Sequence, residues 1–267
     1  MQLKITLKVM YPGQLLPLSY QYELSAWIYK LISSADTDFG AFLHAEGYSQ
    51  GNKRFKLFTF SNLWIPPRYE ILDDRIKIFS EEISFVVSFL VPRAAEEMIS
   101  GLFKEQRFAL GDRISRVDLQ VSAVSIISAE TFTDKAVSFR TTSPLLVIKP
   151  EIRKDGKLWQ KYLSPQDEDY AKYFFSNLLE KHEIAHHHGL VEPIPANPEL
   201  KFRLLSAKPK KNGIRIKAHT PEETKVIGYI FDFEVIAPAE LLRVGMLAGF
   251  GGENALGFGA VKVIGRK

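Results

Sequence analysis

The chain has 267 residues, room for one large or two modest domains, and its 46% hydrophobic and 25% charged residues are ordinary for a globular protein. It contains no cysteine, which excludes disulfides and thiolate metal sites and fits a reducing cytoplasm. The 35 basic residues exceed the 31 acidic ones, a formal charge of +4 that favours a polyanionic partner without fixing one. No apolar run approaches membrane-spanning length, and the alternating start of the chain reads as a strand rather than a signal peptide.

Gln2 to Met10 alternates with period two and predicts a first strand. After the Pro12-Gly13 turn, Tyr22, Ala26, Tyr29, Lys30 and Ile32 carry a helical spacing. Asp36 is a fitting N-cap for a second short helix, Thr37 to Glu46, stopped by Gly47. Aromatic and β-branched runs predict strands over Phe55 to Trp64, Arg75 to Phe79 and Ile83 to Leu90. Pro92 suits the first turn of a helix to Lys104, and Ile114 to Ile127 returns to strand. The first half is thus β-α-β-β-α-β with an extra hairpin, the ferredoxin-like pattern.

The second half predicts strand over Ala136 to Lys149, a long helix over Asp167 to His186, and a loop over Gly189 to Pro198. Strands follow at Leu200 to Ala207, Ile214 to His219 and Lys225 to Ile236, then a helix from Pro238 to Leu247 and a strand from Ala260 to Ile264. The expected class is α+β, with a boundary between residues 128 and 138.

Three constellations could carry chemistry. The first is Gly249 to Gly259, GFGGENALGFG, five glycines in eleven residues. A dinucleotide fingerprint needs strand, glycine loop, then helix; here the helix comes first, so a nucleotide cofactor is disfavoured. Close helix–strand packing and backbone contact with a nucleic acid remain open, with Phe250 and Phe258 as packing or stacking groups. The second, His182-Glu183-Ile184-Ala185-His186, is a literal H-E-x-x-H with Gly189 beyond it and Glu192 where a third ligand would fall. It sits at a helix end, where histidines also complement the dipole, so a zinc peptidase is the remote alternative.

The third is quieter. Tyr29 and Lys30 on the first helix, His44 on the second, and Arg54 and Lys56 just beyond offer a phenol, an imidazole and an ammonium around one helical hairpin. That is a metal-free set for cutting a phosphodiester with an internal 2′-hydroxyl. Lys208, Lys210, Lys211, Arg215 and Lys217 surround an apparent Asn212-Gly213 turn, either as a solvated hairpin tip or as a surface that tracks phosphates.

GFGGENALGFG, preceded by Leu242-x-x-Gly245 and followed by Ala260-Val261-Lys262-Val263, closely resembles the C-terminal signature of a CRISPR-associated endoribonuclease family of the RAMP superfamily. Tyr20-Gln21-Tyr22, Ile28-Tyr29, Leu43-His44, Lys56-Leu57-Phe58-Thr59-Phe60, Ser143-Pro144-Leu145 and Ala207-Lys208-Pro209-Lys210 match further family segments. The resemblance implies two tandem ferredoxin-like, RRM-like domains, residues 1–130 carrying the catalytic residues and 131–267 the glycine loop. It also implies metal-independent cleavage of precursor CRISPR RNA within its repeats, leaving a 2′,3′-cyclic phosphate and a 5′-hydroxyl, without a cofactor. His44 would be general acid or base, Tyr29 would position or assist the 2′-hydroxyl, and Lys56, in a stretch that Lys53 and Arg54 also crowd, would stabilise the charged transition state. Lys208, Lys210, Lys211, Arg215, Lys217, Gly249, Gly251, Gly257 and Gly259 would contact RNA. The implied protein is a cytoplasmic monomer or homodimer, and a CRISPR effector complex is a further implied partner; a non-cleaving RNA-binding subunit of such a complex is the alternative.

Overall fold

In the computed structural model, residues 1–51, 53–133, 136–152 and 156–266 are described. Five helices organise them: α1 (Gln21–Ala35), α2 (Thr37–Ala45), α3 (Pro92–Lys104), α4 (Tyr170–His187) and α5 (Ala239–Ala248). The first strand, Gln2–Val9, turns Leu3, Ile5, Leu7 and Val9 inward at every second position, as its alternation requires. It lies at the centre of an antiparallel sheet in the order Phe58–Phe60, Glu82–Phe89, Gln2–Val9, Arg116–Ile127, with Arg107–Gly111 added at the edge. Helix α1 buries Leu24, Trp27, Ile28, Leu31 and Ile32 in this core.

The second sheet repeats the scheme. Its order is Lys201–Leu204, Asp232–Ile236, Val137–Thr141, Val261–Arg266, all antiparallel. In both halves the first strand of the β-α-β-β-α-β unit sits between the third and the fourth, the ferredoxin-like arrangement. The chain is therefore α+β with two tandem ferredoxin-like units. The expected boundary region, 128 to 138, includes residues 134 and 135, which lie outside the described residues.

Local chemistry explains the segment ends. Asp36 caps α2, its carboxylate accepting the Phe39 N–H at 2.9 Å, and Gly47 closes that helix with its own N–H on the Phe42 carbonyl at 2.8 Å. Two expected strands break where side chains take over backbone pairing. Ala136 to Lys149 divides at Ser143-Pro144, where the Ser143 hydroxyl accepts the Ala260 N–H at 3.0 Å. Lys225 to Ile236 divides at Phe231, whose N–H goes to the Thr141 hydroxyl at 2.9 Å.

One expectation is corrected outright. Asn212 and Gly213 are not a turn; they lie within the strand Lys210–Ile216, paired with Gly228 and Ile227 of Thr224–Ile230. The turn of that hairpin spans residues 217–223, with Lys217 at φ 52° and His219 at φ 60°.

Candidate functional site

Tyr29 and His44 reach each other from consecutive helices. Tyr29 stands on α1, half-buried against Phe58 with ring centroids 5.4 Å apart. His44 projects from the last turn of α2, and its ring meets Tyr29 edge to face at 5.1 Å. Lys56 arrives from the short link between the strands Lys53–Phe55 and Phe58–Phe60, where buried Leu57 adopts a left-handed φ of 54°. That conformation is costly for a leucine and is imposed by its packing, so it fixes the direction in which the chain presents Lys56. The Lys56 ammonium donates to the His44 carbonyl at 2.7 Å.

Of the three side chains predicted from the sequence, Tyr29 and His44 meet directly, and Lys56 reaches the backbone of His44. Tyr29 and His44 line an open cleft of about 470 Å³ together with Tyr22, Lys30, Thr37 and Leu256. Of the crowded basic residues, Lys53 turns away to Glu180 at 3.0 Å, which leaves Lys56 as the ammonium against His44. Burial pushes the Tyr29 phenol well above its ordinary pKa, so it is a proton-bearing donor and not a phenolate. Burial, and next the Arg54 guanidinium, lower the pKa of Lys56.

The glycine loop lies elsewhere in kind. Gly249, Gly251, Gly257 and Gly259 are buried and all have positive φ. At Gly259 a Cβ would fall 1.9 Å from the Phe250 carbonyl; at Gly251, 2.1 Å from that of Leu146. The amides of Phe250, Gly252, Gly257 and Gly259 donate to the carbonyls of Gly259, Leu146, Asn254 and Pro144. Phe250 stacks on Phe174 at 5.4 Å in the main core, while Phe258 lies under the hairpin with Leu146, Ile214 and Val226. Thr59, on the edge of the first sheet, donates to the Phe258 carbonyl at 2.8 Å. The loop thus pins the second core, the hairpin and the first sheet together.

Sequence reading missed what holds this loop. Lys181 of α4, only 1% exposed, donates to the carbonyls of Gly249 and Gly251 at 2.6 and 2.5 Å. Desolvation pulls its pKa down to about 7.

The H-E-x-x-H histidines serve the fold. His182 Nε2 donates to the Glu192 carbonyl at 2.9 Å, and His186 Nδ1 to that of Val191 at 3.0 Å, which ties the end of α4 to the loop after it. Burial lowers the pKa of His182, which favours its neutral form. Glu192 presents its backbone and not its carboxylate, and among the described residues no three His, Cys, Asp or Glu groups converge to hold a metal. His188 contacts the first half, its Nε2 donating to the Ser49 carbonyl at 3.3 Å.

On the hairpin, Lys211 and Arg215 share one face with Lys225, the cross-strand partner of Arg215, while Lys210 starts the opposite face, which buries Ile214. Lys208 is exposed just before the strand, and Lys217 is ion-paired with Glu222. Among the described residues, no ion pair holds Lys211 or Lys225 on the outward face, and Glu223 holds Arg215 loosely at 3.7 Å. If this face tracks phosphates, Lys211→Ala with Lys225→Ala will weaken RNA binding uniformly across sequences. It will also lower the slope of log affinity against log salt by about 1.5, a contribution of about 0.7–0.9 per contact. An unchanged slope in a salt titration would remove this face from the RNA path.

Two ferredoxin-like units in tandem, joined by a glycine loop and bearing a tyrosine–histidine cleft on the first, define the architectural class. The C-terminal model of CRISPR-associated protein Cas6 matches residues 127–263, the N-terminal model matches residues 15–125, and the chain belongs to the Cas6 family. Relatives include the CRISPR-associated endoribonuclease Cas6 of Pyrococcus furiosus, 28% identical over 251 residues, covering 94% of this chain and 84% of that one. Another is endoribonuclease Cas6 1 of Methanocaldococcus jannaschii, 26% identical, covering 92% of this chain and 86% of that one. A solved Cas6-related protein of Pyrococcus furiosus superposes with a TM-score of 0.80 at 25% identity, covering 99% of this chain and 98% of the other. A second structure, described as an RAMP protein binding different RNA substrates, gives 0.79 at 22% identity and covers 99% of this chain and 100% of that one.

Proposed function

We propose that this chain is an endoribonuclease that binds CRISPR repeat RNA and cuts the precursor transcript without a metal ion. The observation that carries the proposal is the meeting of the Tyr29 and His44 rings at one open cleft, with the Lys56 ammonium bonded to the His44 carbonyl behind it. The relatives named as Cas6 endoribonucleases support the same reaction class.

In this reading the labour divides among the three side chains. His44 takes the proton of the 2′-hydroxyl, whose oxygen attacks the adjacent phosphorus while the bond to the 5′-oxygen breaks. The same proton ends on the departing 5′-oxygen, giving a 2′,3′-cyclic phosphate and a 5′-hydroxyl. Lys56 spends one N–H on the His44 carbonyl, and its remaining protons face the charge that builds on the phosphorane. Tyr29, kept protonated by burial, donates a hydrogen bond that orients the attacking ribose. The buried glycines serve packing in this reading, and RNA contact falls to the hairpin face and the cleft.

The test is incubation with the repeat RNA of the host array in excess EDTA, followed by analysis of product ends. Cutting at one position with a cyclic phosphate is expected, and 2′-deoxy substitution at the scissile nucleotide should block cutting while leaving binding intact. Cleavage of the deoxy substrate, or dependence on added metal, would overturn the mechanism. Tight binding with no cutting would favour the non-cleaving subunit.

A further inference from the structure

A second cavity lies across a low ridge from the cleft. Its volume is about 330 Å³, within the range of small-ligand pockets, and its walls come from both halves: Arg54 to Leu57 on one side, Asn177 and Lys181 of α4 and residues 252–255 on the other. The ridge is Ala255-Leu256, since Ala255 lines this cavity and Leu256 lines the cleft. Lys56 belongs to both places: it lines the cavity, and its ammonium is bonded to His44. A nucleotide beside the one at His44 would therefore reach this cavity along the RNA backbone.

The polar groups say what kind of occupant fits. Asn177 Oδ1 is buried and has no hydrogen-bond partner, although buried polar atoms are almost always paired. Glu253 brings a second acceptor, on a residue held at a left-handed φ of 53°. Of the cations lining the cavity, Lys181 is committed to the Gly249 and Gly251 carbonyls and Lys56 to that of His44, while Arg54 adds a guanidinium for the phosphate joined to the base. Leu57, Ile148 and Ala248 supply apolar wall.

We propose that this cavity is a nucleobase subsite in which Asn177 and Glu253 accept hydrogen bonds from the exocyclic amino group of a nucleotide flanking the scissile phosphate. Adenine, guanine and cytosine carry such a group. Uracil shows one ring N–H between two carbonyl oxygens, which would face the Glu253 carboxylate. The subsite makes Asn177 a specificity-determining residue outside the cleavage machinery, and it rests on the RNA-cleaving reading.

The test is an amino-deletion scan of the repeat RNA: adenosine to purine riboside, guanosine to inosine and cytidine to zebularine, one position at a time. Dissociation constants are measured with the His44→Ala protein, and cleavage with the wild type. One position next to the cut should lose about tenfold in affinity on amino deletion, as expected for a well-made base contact. Asn177→Leu and, independently, Glu253→Ala should bind the parent RNA about tenfold more weakly and no longer distinguish it from the deleted analogue, with melting temperatures unchanged. If the flanking positions tolerate every deletion while RNA is still bound and cut, the subsite is wrong and the nuclease stands. If RNA is neither bound nor cut, the nuclease reading itself falls.

Discussion

Gly259→Ala is expected to destabilise the protein by about 4 kcal/mol, and Gly252→Ala, in the same loop, to leave it almost unchanged. At Gly259 two independent costs meet. Its φ of 74° lies where a side chain costs about 1–3 kcal/mol, and the new Cβ would sit 1.9 Å from the Phe250 carbonyl and 2.7 Å from Asn254 Nδ2. Neither atom can yield: Asn254 Nδ2 bridges the carbonyls of Phe250 and Phe258 at 3.1 and 3.0 Å, and the Phe250 ring is packed on Phe174. Overpacking of this kind adds about 1–3 kcal/mol. At Gly252 the nearest atom to a Cβ is Leu146 Cδ2 at 3.9 Å, ordinary contact. Thermal melts should therefore separate the two variants by roughly 8–16 °C, at about 2–4 °C per kcal/mol in a chain of this size. Should Gly259→Ala melt like the wild type and lose only RNA affinity, the loop would be a ligand-contact element and its packing role would fail.

This contrast shows how far the sequence could be read. Period-two alternation in Gln2–Val9 and the i, i+3, i+4 spacing of α1 express burial on one face, so both elements and the ferredoxin-like order were visible in the residues. Asn212-Gly213 misled because it is a strong hairpin-turn signal in isolation. Here Gly213 instead makes room for Lys225, whose Cε would lie 2.7 Å from a Cβ at that position, and Ile214 anchors the strand on Phe258. The real turn is held by side chains, with the Thr220 hydroxyl donating to the Lys217 carbonyl at 2.7 Å and the Glu223 carboxylate accepting the His219 N–H at 2.9 Å. What holds Asn212-Gly213 in a strand is the long-range packing of Ile214 on Phe258, which no local spacing announces.

The candidate site was legible for a different reason. Tyr29 and His44 sit on adjacent helices of one hairpin, so sequence proximity nearly implied spatial proximity. Lys56 needed the turn at Leu57, and the resemblance to a family, not spacing, singled it out from Lys53 and Arg54. Lys181, Asn177 and Glu253 were invisible because the groups that surround them come from distant parts of the chain. Lys181 is 68 residues from Gly249, and a lysine on an amphipathic helix ordinarily reads as surface.

His44→Ala should lower the rate of RNA cleavage by about 10²–10⁴-fold, the usual worth of a positioned proton-transfer group, while affinity for the same RNA stays within a few-fold. The separation is expected because Lys56 is tied to the backbone carbonyl of His44, which alanine retains, so the variant removes the imidazole without releasing the ammonium. Lys56→Ala should also slow cutting, and Lys56→Arg distinguishes charge from shape. Burial, then Arg54, depress the Lys56 pKa, so the folded protein gives up this proton at lower pH than a free lysine does. Cleavage that needs the charged ammonium is therefore present at low and neutral pH and falls as pH rises through that lowered value. Arginine keeps its charge across the range and should extend the alkaline plateau, whatever it does to the maximal rate. Single-turnover rates at a series of pH values read this directly. A Lys56→Arg profile superimposable on that of the wild type would mean that Lys56 carries no charge-dependent part of the reaction, and would reduce it to an anchor for the end of α2.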